Sequence, residues 1–310
     1  MARRGAGIPP HGGGRELTGP ASPGAESGDS RPLLGIALMA AAMLIIPTVD
    51  GVAKHLGESF SPLFVAWSRY AAATLIVLPV ALWRLGPRKA LPRRGLGAHL
   101  LRTAFLMAAM SFYFLAIARI PLATASGAYF VGPVVAALLA MLLLREKARP
   151  LRLAAVALGF AGAMTVVRPD GGISTGMLLA LGSGICFAGY IIATRVAARS
   201  AGVLPTLAFQ CLVGALLLTP QAIWTFAVPD ATQLVLILTM GAVSAFCHVL
   251  SINAFRYADA SLLSPLVYLE LVGTAAIGLF VFGEFPDAVT WTGIAVIVAA
   301  GLLLARERAR

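Results

Sequence analysis

LLGIALMAAAMLIIPTVDGVAKHL, residues 33–56, is an apolar run whose charges, Asp50 and Lys54, come only near its end. As an α-helix, 24 residues extend about 36 Å, enough to cross the ~30 Å hydrocarbon core of a bilayer. The run is also longer than the roughly 7–15 residues of a signal-peptide core, so it is expected to remain as a membrane helix. Residues 1–31, before it, are rich in Gly, Pro, Ser and Arg without apolar periodicity and read as a disordered cytoplasmic tail.

The same kind of segment recurs to the end of the chain. Of 310 residues, 59% are hydrophobic and 12% charged, against about 25% charged in soluble domains. A water-facing surface cannot be made from that composition. Apolar runs between Pro, Gly and charged breaks predict helices over 33–56, 62–83, 95–118, 121–144 and 150–167. A second five are predicted over 174–197, 204–225, 232–257, 260–282 and 288–305. The expected fold is therefore an all-α integral membrane protein of ten transmembrane helices.

Charge gives the orientation. The net charge of +11 is spread in short clusters between apolar runs, not along one continuous basic face, so no nucleic-acid partner is expected. With the N-terminus inside, 20 of the 24 Lys and Arg residues, Arg102 among them, fall in cytoplasmic segments, whereas Lys54, Arg119 and Arg168 fall outside and Arg69 lies within the second helix. Basic loops are retained in the cytoplasm, which puts both termini there. Cys186, Cys211 and Cys247 lie inside apolar runs with no metal-ligand spacing and read as packing residues.

An internal repeat accompanies this pattern. An offset of 141 pairs Gly35 with Gly176, Lys54 with Arg195, Pro79 with Pro220 and Trp83 with Trp224. Slightly smaller offsets pair Arg119 with Arg256, Glu146 with Glu284 and Gly162 with Gly301. An odd number of helices per half makes the second half enter the membrane in the opposite sense. Residues 32–168 and 169–310 thus read as two inverted five-helix repeats, an arrangement typical of secondary transporters with a site near the midplane.

The segment YFLAIARIPLA, residues 113–123, followed by Pro133 and Arg145-Glu146 and by Gly159 and Gly162, resembles the EamA branch of the drug/metabolite transporter superfamily. The second half keeps Ala260-Ser261, Pro265, Gly283-Glu284 and Gly301, but places its proline earlier and adds Glu270. Arg69 is similar to a recurrent family arginine, while Gln210 stands at the aligned position of the seventh helix. The resemblance spans about 33–305. It implies an alternating-access carrier of amino acids, metabolites or drugs, without cofactor, and a cavity bordered by helices 1, 3, 4, 6, 8 and 9. Members similar to this chain are often amino-acid exporters, a narrower reading that rests on kinship alone.

Ionisable residues within a membrane are costly and call for a partner or a task. His248 and Glu270 lie about equally deep on neighbouring antiparallel helices, near the midplane. An imidazole exchanges protons at physiological pH, so the two could couple protons to substrate, or Glu270 could hold a substrate ammonium; a structural pair is the alternative. Asp50 and Lys54, four apart on one helix face, could clamp a zwitterion, yet Asp50 is also placed to form a structural ion pair with Arg69 while Lys54 snorkels outward.

Mixed hydroxyl and aromatic stripes add further substrate-binding candidates: Ser244 and Ser251 beside His248, Phe187 and Tyr190 on the sixth helix, and Tyr129 on the fourth. Tyr113 and Tyr268 join them as contacts or packing anchors, and Pro47, Pro133 and Pro265 are hinge candidates. Ser and Thr also bind membrane helices to each other, which is the structural alternative for these stripes.

No H-E-x-x-H, G-x-S-x-G or P-loop motif occurs, so neither hydrolysis nor nucleotide-driven pumping is expected and no enzyme activity or metal site is predicted; the absence of a cofactor is what the resemblance implies. The sequence predicts a multi-pass membrane protein, and the resemblance implies a gradient-driven carrier of the bacterial inner membrane that exports amino acids or related metabolites. A lipophilic-cation exporter and a channel-like or non-transporting membrane protein are the alternatives. Oligomeric state is left open, a monomer being compatible.

Overall fold

The computed structural model describes residues 32–143, 150–167, 174–197, 201–258 and 263–309. The expected tail 1–31, Arg145-Glu146, Arg168 and the turn 259–261 lie outside them. All regular structure among the described residues is helical: α1 Pro32–Leu56, α2 Pro62–Leu85, α3 Leu96–Ile117, α4 Leu122–Tyr129, α5 Gly132–Leu143, α6 Pro150–Val167, α7 Thr175–Ala197, α8 Val203–Trp224, α9 Ala231–Tyr257, a 3₁₀ segment Ser264–Tyr268, α10 Leu269–Phe282 and α11 Ala288–Ala309. Among the described residues, seven segments are long and apolar enough to cross a membrane, counting 122–143 as one, and three shorter apolar helices accompany them.

Local chemistry accounts for the helix ends. Proline opens α1, α2 and α6, where its missing N–H is not needed and its φ suits a helix. Asp230 and Gln233 form a reciprocal capping box at the start of α9, with Asp230 Oδ1 accepting from the Gln233 N–H at 2.8 Å. Gly86 and Gly283 end α2 and α10 with φ of 71° and 66°, angles at which a Cβ is strained.

Two helices depart from the expected spans. The segment predicted as one helix over 121–144 is interrupted between Tyr129 and Gly132. Pro133 has no N–H to give the Tyr129 carbonyl four residues earlier, so the ladder cannot run through. At the break the chain meets α7 closely: a Cβ on Gly184 would lie 2.8 Å from the Tyr129 oxygen, and one on Gly132 2.8 Å from the Gly184 oxygen. The helix predicted over 260–282 is likewise a 3₁₀ turn containing Pro265, followed by α10 from Leu269. Pro47, by contrast, sits within a continuous α1.

Packing explains why such apolar helices form one bundle. α1 packs on α9 and α3 on α7; α2 lies against α8 and α9, and α3 against α8; α1 packs on α10, and α4 and α5 on α7; α6 pairs with α11. Exchanging each helix for its counterpart in the sequence repeat returns these pairs, whereas the lesser α1–α2 and α2–α3 contacts have no counterpart of like size among the described residues. Small residues permit close crossing: Gly162 of α6 and Gly293 of α11 face each other so tightly that a Cβ on either would lie 2.9 Å from the other's carbonyl oxygen. The outward side chains are apolar, with Leu75, Ile223 and Phe280 exposed. The repeat-related Trp83 and Trp224 are also exposed, each at a helix end, where tryptophans anchor in the lipid interface.

Candidate functional site

At the centre of the bundle is a cavity of about 520 Å³. α1 contributes Met39, Met43 and Asp50; α2 Arg69 and Tyr70; α3 Met110 and Tyr113; α4 Tyr129; α7 Phe187 and Tyr190. α8 adds Gln210 and Cys211, α9 Ser244, Cys247, His248 and Ser251, and α10 Glu270. The sequence candidates Asp50, Tyr113, Tyr129, Phe187, Tyr190, Ser244, His248, Ser251 and Glu270 are thus brought together from six helices. The cavity is wider in origin than the resemblance implied, since α2 and α8 line it too.

Its charged groups are held unequally. The Arg69 guanidinium reaches α9, where Nε and Nη2 donate to Ser244 Oγ at 3.2 and 3.1 Å, while Nη1 lies 3.5 Å from Met110 Sδ. Asp50 Oδ2 accepts from the Tyr113 hydroxyl at 3.3 Å, and that hydroxyl lies 2.6 Å from Ser126 Oγ. The expected direct Asp50–Arg69 ion pair is therefore not formed: the long Arg69 side chain crosses to α9 instead, and the two charges interact through the field of the site. Glu270 is within the same field, near Asp50 and Arg69. Its carboxylate makes no hydrogen bond or ion pair with any described residue.

His248 and Glu270 share the cavity without bonding each other. Nδ1 of His248 lies 2.8 Å from the Ser244 carbonyl on its own helix; a carbonyl can only accept, so Nδ1 carries the proton of that bond.

Two candidates lie elsewhere. Lys54 neither lines the cavity nor snorkels free: its Nζ reaches both Glu284 oxygens, at 2.6 and 2.5 Å, and the Ile120 carbonyl at 3.3 Å. Glu284 Oε2 also accepts from the Leu122 N–H at 3.3 Å. This cluster fastens the end of α1 to the turn between α3 and α4 and to the end of α10. The reason is geometric: Lys54 is a full turn beyond Asp50, past the cavity and level with that turn. Tyr268 packs on Phe130, with ring centroids 5.4 Å apart, and against Gly301, where a larger residue would clash with its ring. It does not line the cavity in this structure.

Three contributors were not singled out from sequence. Arg69 was given a purely structural part, and Gln210 appeared only as its aligned counterpart. Arg102, counted with the cytoplasmic charges, is buried, its Nε donating to Thr194 at 2.9 Å and its Nη2 to the Tyr190 hydroxyl at 2.8 Å. Spacing carried a signal for it. Arg102, Leu106, Met110 and Tyr113 fall at helical intervals on one face of α3, and the last three line the cavity.

A bundle of membrane-crossing helices around a cavity bearing two carboxylates, a guanidinium and an imidazole is the form of a membrane carrier. The chain belongs to the EamA-like transporter family, whose model matches residues 33–168 and again 174–306. It is a multi-pass transporter of the bacterial inner membrane. It is 27% identical over 256 residues to an S-adenosylmethionine uptake transporter of Rickettsia prowazekii, covering 82% of this chain and 86% of that one. It is 30% identical over 277 residues to a riboflavin transporter of Vibrio cholerae, covering 86% and 91%. A pseudopaline exporter of Pseudomonas aeruginosa is 27% identical over 279 residues, covering 88% and 96%. A solved crystal structure shares the fold with a TM-score of 0.63 at 19% identity, over 89% of this chain and 99% of that one.

Proposed function

We propose that this protein is a secondary, alternating-access carrier for amino acids or related small metabolites that bear a cationic centre. The observation that carries this reading is Glu270, a carboxylate at a cavity of about 520 Å³ with no partner among the described residues. A charge within the membrane without a partner is costly, and a substrate ammonium or sulfonium would relieve that cost. Arg69 supplies the opposite charge across the same cavity, so a zwitterion finds complementary ends. The volume falls in the ordinary range for small-molecule sites, about 300–1,000 Å³, and leaves room for more than a free amino acid.

The carrier is proposed to have ten membrane spans in two inverted halves, 32–168 and 169–310, with both termini and the tail 1–31 cytoplasmic. The pattern of helix pairs supports the exchange of halves. Pro47, Pro133 and Pro265 are proposed as the points about which helices bend. A gradient drives the cycle, with His248 and Glu270 as the groups that couple protons to it, and the substrate is moved without chemical change. Export is the direction implied by the family resemblance; the relatives' names include both uptake and export.

Counterflow of labelled substrate in reconstituted liposomes tests the reading, using a panel of amino acids, S-adenosylmethionine and riboflavin at two pH values. Saturable, trans-stimulated flux is expected. Flux linear in concentration and independent of trans substrate would mean a channel, and no flux would mean a non-transporting protein. A second reading, a lipophilic-cation exporter, is favoured by the Met39, Met43 and Met110 side chains beside Glu270 and Asp50. Competition by a lipophilic cation that exceeds competition by any zwitterion would select it.

A further inference from the structure

We propose that the cavity holds a distinct subsite for a planar heteroaromatic ring, formed between the Phe187–Tyr190 face of α7 and the Gln210 amide of α8. This rests on the carrier reading and names the substrate class: a metabolite with a flat, nitrogen-bearing ring joined to its cationic part.

Phe187 and Tyr190, three residues apart on α7, line the cavity with rings inclined by only 19° and centroids 5.6 Å apart. Tyr129 packs on Phe187, with centroids 4.7 Å apart and rings inclined by 37°. Tyr190 is not free to swing away. Its hydroxyl accepts from Arg102 at 2.8 Å, and the guanidinium lies 4.8 Å from its ring centroid. Arg102 is in turn bonded to Thr194, one turn further along α7. A fixed flat aromatic surface favours a flat guest, because stacking needs parallel faces and gains little from a branched aliphatic chain.

The second observation is independent of the first. Gln210 is 3% exposed and lines the cavity, and its Oε1 is buried without a hydrogen-bond partner. Buried polar atoms are ordinarily paired, and an amide oxygen at a cavity wall accepts an amino or imino N–H. Nitrogen heterocycles carry such donors on the rim of a stackable ring; aliphatic amino acids offer no such donor apart from the ammonium, for which Glu270 and Asp50 compete. The S-adenosylmethionine and riboflavin named for the relatives both contain a ring of this class.

The test uses counterflow of labelled S-adenosylmethionine in liposomes, competed by S-adenosylmethionine, by S-methylmethionine, which has the sulfonium and amino acid without the ring, and by adenosine, which has the ring alone. Binding of labelled adenosine to the purified protein in detergent is measured in parallel. Expected is an affinity ratio of S-adenosylmethionine to S-methylmethionine of about 10 or more, the usual worth of stacking a base. Phe187→Leu and Gln210→Met, each eluting from gel filtration like the parent, should bring that ratio toward 1 and weaken adenosine binding. A parent ratio near 1, or a ratio unchanged in both variants, overturns the subsite. If no probe gives flux, the carrier reading fails by itself, and adenosine binding that Phe187→Leu weakens still supports the subsite, while absent binding overturns it.

Discussion

Replacing Glu270 by Gln separates a functional carboxylate from a structural one, because the two roles predict opposite signs. Gln keeps the shape and removes the charge. The Glu270 carboxylate has no hydrogen bond or ion pair to any described residue, so no such contact among them is lost by the change. It also removes an uncompensated charge near Asp50, a like charge in the same field. The stability of the variant in detergent should therefore equal or exceed that of the parent. Cationic substrates should lose a charge-assisted hydrogen bond worth about 1.5–3 kcal/mol, a rise of roughly 10- to 150-fold in half-saturating concentration. Flux should also lose its dependence on pH if protons pass through this group. Thermal unfolding in detergent and counterflow at two pH values read both sides. A variant that is destabilised yet binds its substrate with parental affinity and parental pH dependence would refute the reasoning, since Glu270 would then be holding helices together.

Other outcomes follow from the same geometry. The Lys54–Glu284 pair, with side chains 12% and 29% exposed, should give a coupling energy of about 1–3 kcal/mol in a Lys54→Met/Glu284→Gln double-mutant cycle read by denaturation in mixed micelles; additive effects would mean that the cluster does not fasten α1 to α10. Gly162→Ala should destabilise by about 1–3 kcal/mol, because its Cβ would meet the backbone of α11 at the Gly293 oxygen and the Ile297 nitrogen as well as the Ile297 side chain; Gly97→Ala, whose Cβ meets nothing within 4 Å, is the neutral control in the same measurement. Arg69→Lys should weaken transport at least tenfold by KM, since an ammonium cannot reproduce the two-nitrogen contact with Ser244; parental kinetics would remove Arg69 from the site.

Much of the fold was legible along the chain, because the bilayer imposes a one-dimensional test. A segment either is apolar over the length of a span or it is not, and the run 33–56 passes without reference to any neighbour. The interruption at Tyr129–Gly132 was less legible, although Pro133 announced it. A proline inside a membrane helix is compatible with a kink, as at Pro47, or with a break, and which results depends on what packs there. At 129–132 the backbone of α7 enters the gap through Gly184.

Depth could be counted from the sequence, and it brought His248 and Glu270 to one level; azimuth could not. Asp50 and Lys54 share a helix face on paper, yet one enters the cavity and the other a separate ionic cluster a turn away. Arg69 stands within reach of Asp50 on the next helix, but Ser244 on α9 takes its nitrogens. The apolar run that begins at Leu33 determined by itself that this protein lives in lipid and that its helices must satisfy their own backbones. Only the tertiary structure decided which of its few polar side chains face one another. Polar partners in a membrane protein are chosen by helix rotation and crossing, and those depend on close contacts between small residues that no stretch of one helix contains.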